Sequence, residues 1–290
     1  MRRFTVPAVA LVLGAAVSVQ GGAAIAKSLF PTLGPPGVVF LRLAFGSLTL
    51  WVIGRPQLRG RPRRDLELVA ALGLTLVFMN LSFYESLDRL PLGIAVTVEF
   101  IGPLAVAAAA SRRLIDGLWV LLAGGGIALL ADGGGKAVHP TGLALAALAG
   151  VFWGLYIVIG KRVGQRFVGS TALAPAMALG AVVALPWGIA SGGHHFANPQ
   201  LLGAGIGVSL LSSALPWSLE IEAMRRLRMT VFGVLMSLEP AIAALSGFVL
   251  LHEHLRPRAW VALVMVMVAS AGVSDRKSTR LNSSHRCISY

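Results

Sequence analysis

Ten apolar stretches of about twenty residues each, separated by short polar breaks, leave this chain few ways to fold. They cover approximately residues 5–26, 36–54, 66–87, 92–110, 114–131, 141–160, 168–190, 201–222, 229–251 and 258–274. A helix rises about 1.5 Å per residue, so each stretch matches the roughly 30 Å hydrocarbon core of a bilayer. In lipid only helices and closed barrels satisfy every backbone polar group, and stretches this long are helices. The spacing therefore predicts an all-α integral membrane protein with ten transmembrane helices. Composition agrees: 56% of the 290 residues are hydrophobic and 13% are charged, with a mean hydropathy of +0.78. A soluble domain carries about a quarter charged residues. The 34 glycines suit helices that approach closely in lipid.

The formal net charge of +13 would point to nucleic acid in a soluble chain. Here the cations sit in short loops, where they orient a membrane protein, and no nucleic-acid partner is expected. With a cytoplasmic N-terminus, the inner segments hold Arg2, Arg3, Arg55, Arg59, Arg61, Arg63, Arg64, Arg112, Arg113, Lys161, Arg162, Arg166, Arg225, Arg226 and Arg228. The outer segments hold only Lys27, Arg89, Lys136, Arg256 and Arg258. This positive-inside bias places both termini in the cytoplasm. Arg2 and Arg3 precede the first stretch as in a signal peptide, but the run is longer than a signal's apolar region and reaches Lys27 without a small-residue cleavage site, so it reads as a mature helix.

Residues 275–290 are different in kind. Ser274 to Tyr290 is polar and basic, has no apolar period and contains the only cysteine, Cys287. The segment reads as a polar tail that does not belong to the native chain, resembling translated adapter read-through; otherwise it is a disordered cytoplasmic tail. No function attaches to Cys287 or His285. One cysteine also excludes an internal disulfide or a cysteine-ligated metal.

The remaining chain contains a repeat. Glu85–Leu90 resembles Glu222–Leu227, and a proline, Pro103 or Pro240, lies thirteen residues beyond each leucine, all at an offset of 137. Lys27 matches Lys161 and Gly46 matches Gly180 at an offset of 134. This near-common register divides the chain into two five-helix repeats, residues 1–137 and 138–274. Five is odd, so the second copy enters the membrane from the opposite side. Inverted repeats with a site near the midplane are the architecture on which alternating access is built.

Ionisable residues at membrane depth cost about 2.5–3.5 kcal/mol on insertion scales and so face a cavity or a partner. Glu99 lies within the fourth span with Gly102 and Pro103 on the same face, and Glu239 lies within the ninth immediately before Pro240. A proline frees a carbonyl one turn back, which suits a cation or ammonium site. The alternative for each glutamate is a structural ion pair or a protonated carboxyl bonded to backbone. Arg42 either pairs with a carboxylate such as Glu85 or holds a substrate carboxylate. Lys27, at the outer end of the first span, reads as a structural partner of Glu85 or another acid. Asn80, Phe83 and Tyr84 form a polar-aromatic stripe, and Trp153 with Tyr156 forms a second. These stripes are either packing or cavity wall. Gln20, beside Gly21 and Gly22, marks a close helix approach or a substrate contact. Glu220 and Glu222 fall near the cytoplasmic end of the eighth span, and Glu222 reads as a surface ion pair with Arg225 or Arg226.

No catalytic, metal or cofactor pattern emerges. His194, His195, His252 and His254 fall in outer loops, and His252 and His254 lack the i, i+4 spacing of a helical zinc pair. Gly124–Gly126 lies within the fifth span and Gly133–Gly135 in the next loop, and neither precedes the Lys-Ser/Thr of a phosphate loop.

The blocks Val19–Pro31, Leu41–Ala44, Pro91–Val96, Glu99–Phe100 and Gly102–Val106 in the first half closely resemble the bacterial threonine/homoserine exporters of the EamA-type family, within the drug/metabolite transporter superfamily. So do Ser212–Pro216, Ser218–Glu220 and Phe232–Ala241 in the second, and the likeness runs over residues 5–273. Departures are Trp217, where tyrosine is expected, and the pair His194–His195. The resemblance implies a multi-pass protein of the bacterial inner membrane that moves amino acids outward in exchange for protons; a monomer is expected. Glu99 would bind the substrate ammonium or cycle a proton, with Arg42 near the carboxylate and Gln20, Asn80, Tyr84, Trp153, Tyr156 and Glu239 around them. A broad-specificity drug or metabolite exporter of the same superfamily is the alternative, and a non-transporting membrane scaffold is a third reading. No cofactor is implied.

Overall fold

The computed structural model describes residues 7–54, 60–109, 114–131, 139–167, 171–227 and 229–286. Among them every regular element is helical. The elements are α1 (Ala8–Ser28), α2 (Phe30–Gly54), α3 (Arg63–Leu87), α4 (Leu92–Glu99), α5 (Ile101–Ala109), α6 (Leu114–Ala131) and α7 (Pro140–Gly164). They continue as α8 (Leu173–Gly192), α9 (Pro199–Ser209), α10 (Leu215–Arg226), α11 (Met229–Met236), α12 (Glu239–Leu251) and α13 (Pro257–Arg286). Among the described residues six stretches are long and apolar enough to cross a bilayer: Ala8–Ser28, Phe30–Gly54, Arg63–Leu87, Pro140–Gly164, Leu173–His195 and Val234–Leu251. Leu92–Val106 and Pro257–Gly272 are shorter apolar helices. Of the residues singled out above, Arg2, Arg3, Arg55, Arg59, Arg112, Arg113, Gly133–Gly135, Lys136, Arg228 and Cys287 lie outside the described ones.

The polarity of the molecule is that of a protein in lipid. Val52 and Ile53 are 72% and 71% exposed, and Leu48, Leu121, Val182, Phe248 and Val249 also face outward, whereas Ser47, Thr75, Asn80, Ser82, Ser86, Thr97, Glu99 and Glu239 are buried. In water an apolar surface that extensive would drive association. In hydrocarbon the polar groups belong inside, bonded to one another or facing a cavity. Several spend their hydrogen bond within the fold: Thr75 and Thr97 donate back one turn, to the carbonyls of Ala71 and Gly93, and Ser47 reaches Ala174 O at 2.9 Å.

Each interruption of a predicted span lies beside a proline. Residues 92–109 divide into α4 and α5 at Phe100, because Pro103 has no N–H for the carbonyl of Glu99 four residues back. Residues 229–251 divide into α11 and α12 at Ser237 and Leu238, and Pro240 occupies the first turn of α12, where a missing N–H costs nothing. Between α9 and α10 the chain makes a π-turn at Leu210–Ala214, and Pro216 denies an N–H to the carbonyl of Ser212. Within α2, Gly34 takes φ +65° ahead of Pro35 and Pro36, a left-handed conformation that glycine adopts without a Cβ clash. The straight part of α2 thus begins near residue 36, as predicted.

α2 packs against α8, α3 against α7 and α8, α1 against α10 and α12, α4 against α12 and α7, and α6 against α13. Two polar clusters tie opposite ends of the bundle. At one end Asp65, in the first turn of α3, accepts from Arg166 Nη1 at 2.7 Å, and Arg61 lies over the Phe167 ring. At the other, Lys27 at the end of α1 donates to Glu253 Oε1 and to the carbonyl of Leu90, each at 2.6 Å. Lys27 is therefore a structural partner as expected, with Glu253 rather than Glu85; Glu85 pairs with Arg89 at 2.6 Å. Glu222 and Arg226 form the surface pair read from their spacing. α13 continues to Arg286, past residue 274 where the span was expected to end. Ser274–Arg286 has neither glycine nor proline to stop a helix already begun.

Candidate functional site

The helices enclose a cavity of about 680 Å³. Its wall draws on α1 (Val19, Gln20, Ala23), α2 (Arg42, Leu43, Leu50), α3 (Leu76, Met79, Asn80, Phe83) and the end of α4 (Val96, Glu99). The second half of the chain supplies Trp153, Tyr156, Met177, Ser212, Ser213, Pro216, Glu220, Phe232, Met236 and Glu239. Seven of the eight residues singled out in the sequence, Gln20, Arg42, Asn80, Glu99, Trp153, Tyr156 and Glu239, therefore meet at one surface although they lie on six different elements. The eighth, Tyr84, is fully buried behind it.

Arg42 is the cation of the site. Its Nη1 donates to the Tyr84 hydroxyl at 2.9 Å and its Nη2 to the carbonyl of Ser212 at 3.3 Å, with the guanidinium carbon 5.6 Å from the Tyr84 ring centre. Tyr84 is itself held edge-on by Phe30. Tyr84 thus acts through Arg42, fixing its direction from the side away from the cavity. Arg42 reaches the Ser212 carbonyl because Pro216 leaves that carbonyl without its usual amide partner. Among the described residues no carboxylate pairs with Arg42 at ion-pair distance, so the pairing with Glu85 considered above does not occur.

Three carboxyl groups share the cavity with it. Glu99 ends α4 and Glu239 begins α12, each beside its helix break, and Glu220 lies on α10. Glu99 interacts electrostatically with Glu239 and with Arg42, and Glu220 does so with Glu239 and Tyr156. Trp153 stands edge-on to Phe100 at 5.2 Å, which anchors the indole beside the α4–α5 break. Asn80 returns its Nδ2 to the Leu76 carbonyl at 2.8 Å. Glu220 was placed near a cytoplasmic helix end by sequence alone, and it belongs to the wall. Pro216 and Glu220 are spaced four apart in α10 and so share a helical face, a proline-and-glutamate pair in the reverse order of Glu99 and Pro103. Among the described residues no group of three or more His, Cys, Asp or Glu could hold a metal. The His194 and His195 rings meet at a tilt of 44°, and His254 meets the Phe248 ring.

An apolar exterior around a cavity with one guanidinium and several carboxyls defines a multi-pass membrane protein that can hold a small polar solute carrying both charges. Comparison with known proteins gives that class its family. Residues 140–274 match the model of the EamA-like transporter family. The chain is 42% identical over 278 residues to the threonine/homoserine exporter RhtA of Escherichia coli strain K12, covering 94% of each chain. It is 44% identical over 258 residues to the protein of that name in Salmonella typhimurium strain LT2, covering 88% of this chain and 87% of that one. A crystal structure of a protein 17% identical shares the fold, with a TM-score of 0.61 over 92% of this chain and 96% of that chain. This chain belongs to the EamA-like transporter family, together with the RhtA exporters. It is an exporter of the membrane and not an enzyme.

Proposed function

We propose that the protein is a secondary active exporter of small amino acids, threonine and homoserine, coupled to protons and working by alternating access. The observation that carries this reading is the presence of Arg42 opposite Glu99 and Glu239 in one buried cavity, in a chain whose relatives bear the name of threonine/homoserine exporters. A zwitterion presents one carboxylate and one ammonium. A guanidinium fork suits the first, and carboxylates at membrane depth suit the second. The volume lies within the roughly 300–1,000 Å³ of ligand pockets. Glu99 binds the ammonium or cycles the coupling proton, Glu239 supports it, and Gln20, Asn80, Trp153 and Tyr156 shape the remainder.

The architecture proposed for this function is ten spans in two inverted five-helix repeats, residues 1–137 and 138–274, with 275–290 as a tail foreign to them. The family model matching residues 140–274 supports that division. So does the packing. If α1, α2, α3, α4–α5 and α6 correspond to α7, α8, α9–α10, α11–α12 and α13, then α2 with α8 and α6 with α13 each pack on their own counterpart. The packing of α1 on α10 and α12 is mirrored by that of α7 on α3 and α5. The protein is placed in the bacterial inner membrane with both termini cytoplasmic, a reading favoured by the clustering of Arg61 and Arg166 around Asp65 at one end. Leu50, Ile157 and Leu173 carry the cavity toward that end, whereas Lys27 and Glu253 close the other, as expected of an inward-facing state.

Counterflow of radiolabelled threonine into proteoliposomes, with and without a pH gradient, tests the proposal. Threonine counterflow that a gradient accelerates is expected, and absence of counterflow with any amino acid overturns it. The aromatic walls at Phe83, Trp153, Tyr156 and Phe232 favour the second reading, a broader drug or metabolite exporter. That reading requires resistance to lipophilic cations on overexpression with no change in threonine tolerance.

A further inference from the structure

The polar tie at the Lys27 end of the bundle sits directly over the cavity. Ala23 of α1 and Val96 of α4 belong to the cavity wall. Lys27 follows Ala23 by four residues and Leu92 precedes Val96 by four, so each stands one helical turn farther out on the same face. At that level Lys27 Nζ donates to Glu253 Oε1 and to the carbonyl of Leu90, each at 2.6 Å, and Glu253 Oε2 accepts from the Leu92 amide at 2.7 Å. One carboxylate just beyond α12 thus bridges α1 and α4. Its reach depends on a close approach of α4 to α12, where a Cβ at Gly93 would lie 2.8 Å from Ala244. The Lys27 and Glu253 side chains remain 20% and 14% exposed. Water reaches both groups, so parting them leaves no buried charge unpaired.

The proposed repeat makes this tie one-sided. Lys161, the counterpart of Lys27, is exposed in the last turn of α7, and among the described residues no carboxylate pairs with it. Leu114 and Trp119 match Leu255 and Trp260 at an offset of 141, and in that register Glu253 corresponds to Arg112. Where one end carries a lysine and a carboxylate, the equivalent positions at the other are a lysine and an arginine. Alternating access in inverted repeats exchanges the shapes of the two halves. The state closed at the Lys161 end would therefore bring two cations together where the state closed at the Lys27 end gains an ion pair.

We infer that Lys27 and Glu253 form the outer gate of the transporter, a latch that biases the resting protein toward the state open at the Lys161 end and that parts when solute leaves. Helix α4 carries the event to the site. Its first amide is held by Glu253 and its last residue is Glu99, about 10 Å along the axis of this eight-residue helix. Parting the latch frees one end of the element whose other end bears the carboxyl proposed to meet the ammonium or the proton. The inference rests on the alternating access proposed above and adds the contact that must break for the outer end to open.

Access to the cavity from outside reads the gate without requiring transport. With Cys287 replaced by serine, Ala23→Cys is the reporter on α1 and Val96→Cys a second one on α4. A membrane-impermeant methanethiosulfonate added to intact cells is expected to label either reporter slowly while the latch is intact. Lys27→Met and Glu253→Gln are each expected to raise that rate about ten-fold, as the loss of a contact made in only one of two states shifts their populations. Both variants keep an oxygen at residue 253 for the Leu92 amide, so the faster rate reports the lost ion pair and not a frayed α4. Lys27→Arg keeps the cation and the slow rate. An unchanged rate at both reporters in both variants, in protein that elutes as a single species on gel filtration, makes the pair a fixed tie and overturns the gate. Rapid labelling with the latch intact overturns it as well, since the cavity would then be open at that end. Absence of threonine counterflow in the unaltered protein removes the exporter reading and leaves these rates as they are.

Discussion

Glu99 ends α4, and the carbonyl that Pro103 leaves without an amide partner is its own. A carboxyl and a freed carbonyl on one residue make a concentrated acceptor for an ammonium or a proton. Gly150 of α7 closes on that carbonyl, where a Cβ would lie 2.7 Å away, so the oxygen is shielded on one side by a helix that only glycine lets approach. The roles proposed for Glu99 separate experimentally. As carrier of the coupling proton, Glu99→Gln loses threonine export driven by a pH gradient yet keeps exchange of threonine for threonine, because the amide mimics the protonated acid in shape. Loss of both activities in a folded protein assigns Glu99 to the ammonium instead. Glu239→Gln is expected to lose less. Gln20, Arg42, Asn80, Glu99, Trp153, Tyr156 and Glu239 were legible as cavity candidates because each is a polar or aromatic interruption of an apolar span, and lipid makes such interruptions costly. Tyr84 was legible only as part of a stripe, since one turn of helix does not tell which member faces the cavity and which stands behind it. Ser212 carried no such mark. Serine is common where membrane helices touch, and its importance here comes from a π-turn and from contacts with Arg42 and Gly22 that are remote in sequence.

Among the elements, three distant in sequence meet at Glu253. Its Oε1 receives Lys27 from the end of α1, and its Oε2 accepts from the amide of Leu92, the first residue of α4, at 2.7 Å. That amide is one of the donors a helix N-terminus leaves unmade, and Pro91 before it offers no capping side chain. The reach of Glu253 depends on His252, which takes φ 54° and ends α12 in a left-handed turn while the Glu253 amide returns to Gly247 O. Glu253→Ala removes the ion pair and the cap together. Hydrogen bonds to charged groups contribute about 1.5–3 kcal/mol each before partial exposure weakens them, so a loss of about 2 kcal/mol is expected in thermal unfolding of the detergent-solubilised protein. Glu253→Gln, which keeps an oxygen for Leu92, loses less. Equal stability of all three proteins would remove Glu253 from the fold's ties. Apolar length alone revealed the long helices. The breaks at Phe100, at Ser237–Leu238 and in the π-turn were visible only as prolines. Hydropathy does not distinguish a proline that bends a helix from one that ends it, because neighbouring helices decide whether the freed carbonyls find partners.

For the whole molecule, one measurement tests both the proposed orientation and the proposed repeat. In the proposed architecture, five spans per unit send the second unit into the membrane from the opposite side, which would put the arginine-rich segments on one face. Two polar clusters mark the two ends of the bundle: Asp65, in the first turn of α3, meets Arg166 after α7, whereas Lys27, Leu90 and Glu253 gather at the other end. Lipid holds such an arrangement in place, since no loop carrying several arginines crosses hydrocarbon cheaply. Single cysteines read it directly. With Cys287 first replaced by serine, Ala197→Cys lies in the exposed connection between α8 and α9, and Arg64→Cys is exposed at the start of α3. An impermeant thiol reagent added to intact cells is expected to label the cysteine at 197, while the cysteine at 64 is labelled only after the membrane is opened. Labelling of position 64 from outside with protection of position 197 would invert the molecule and leave the repeat intact. Labelling of both from one side would require an even number of crossings between them, and the inverted repeat would go, together with the exchange of half-molecule shapes by which alternating access was proposed to operate.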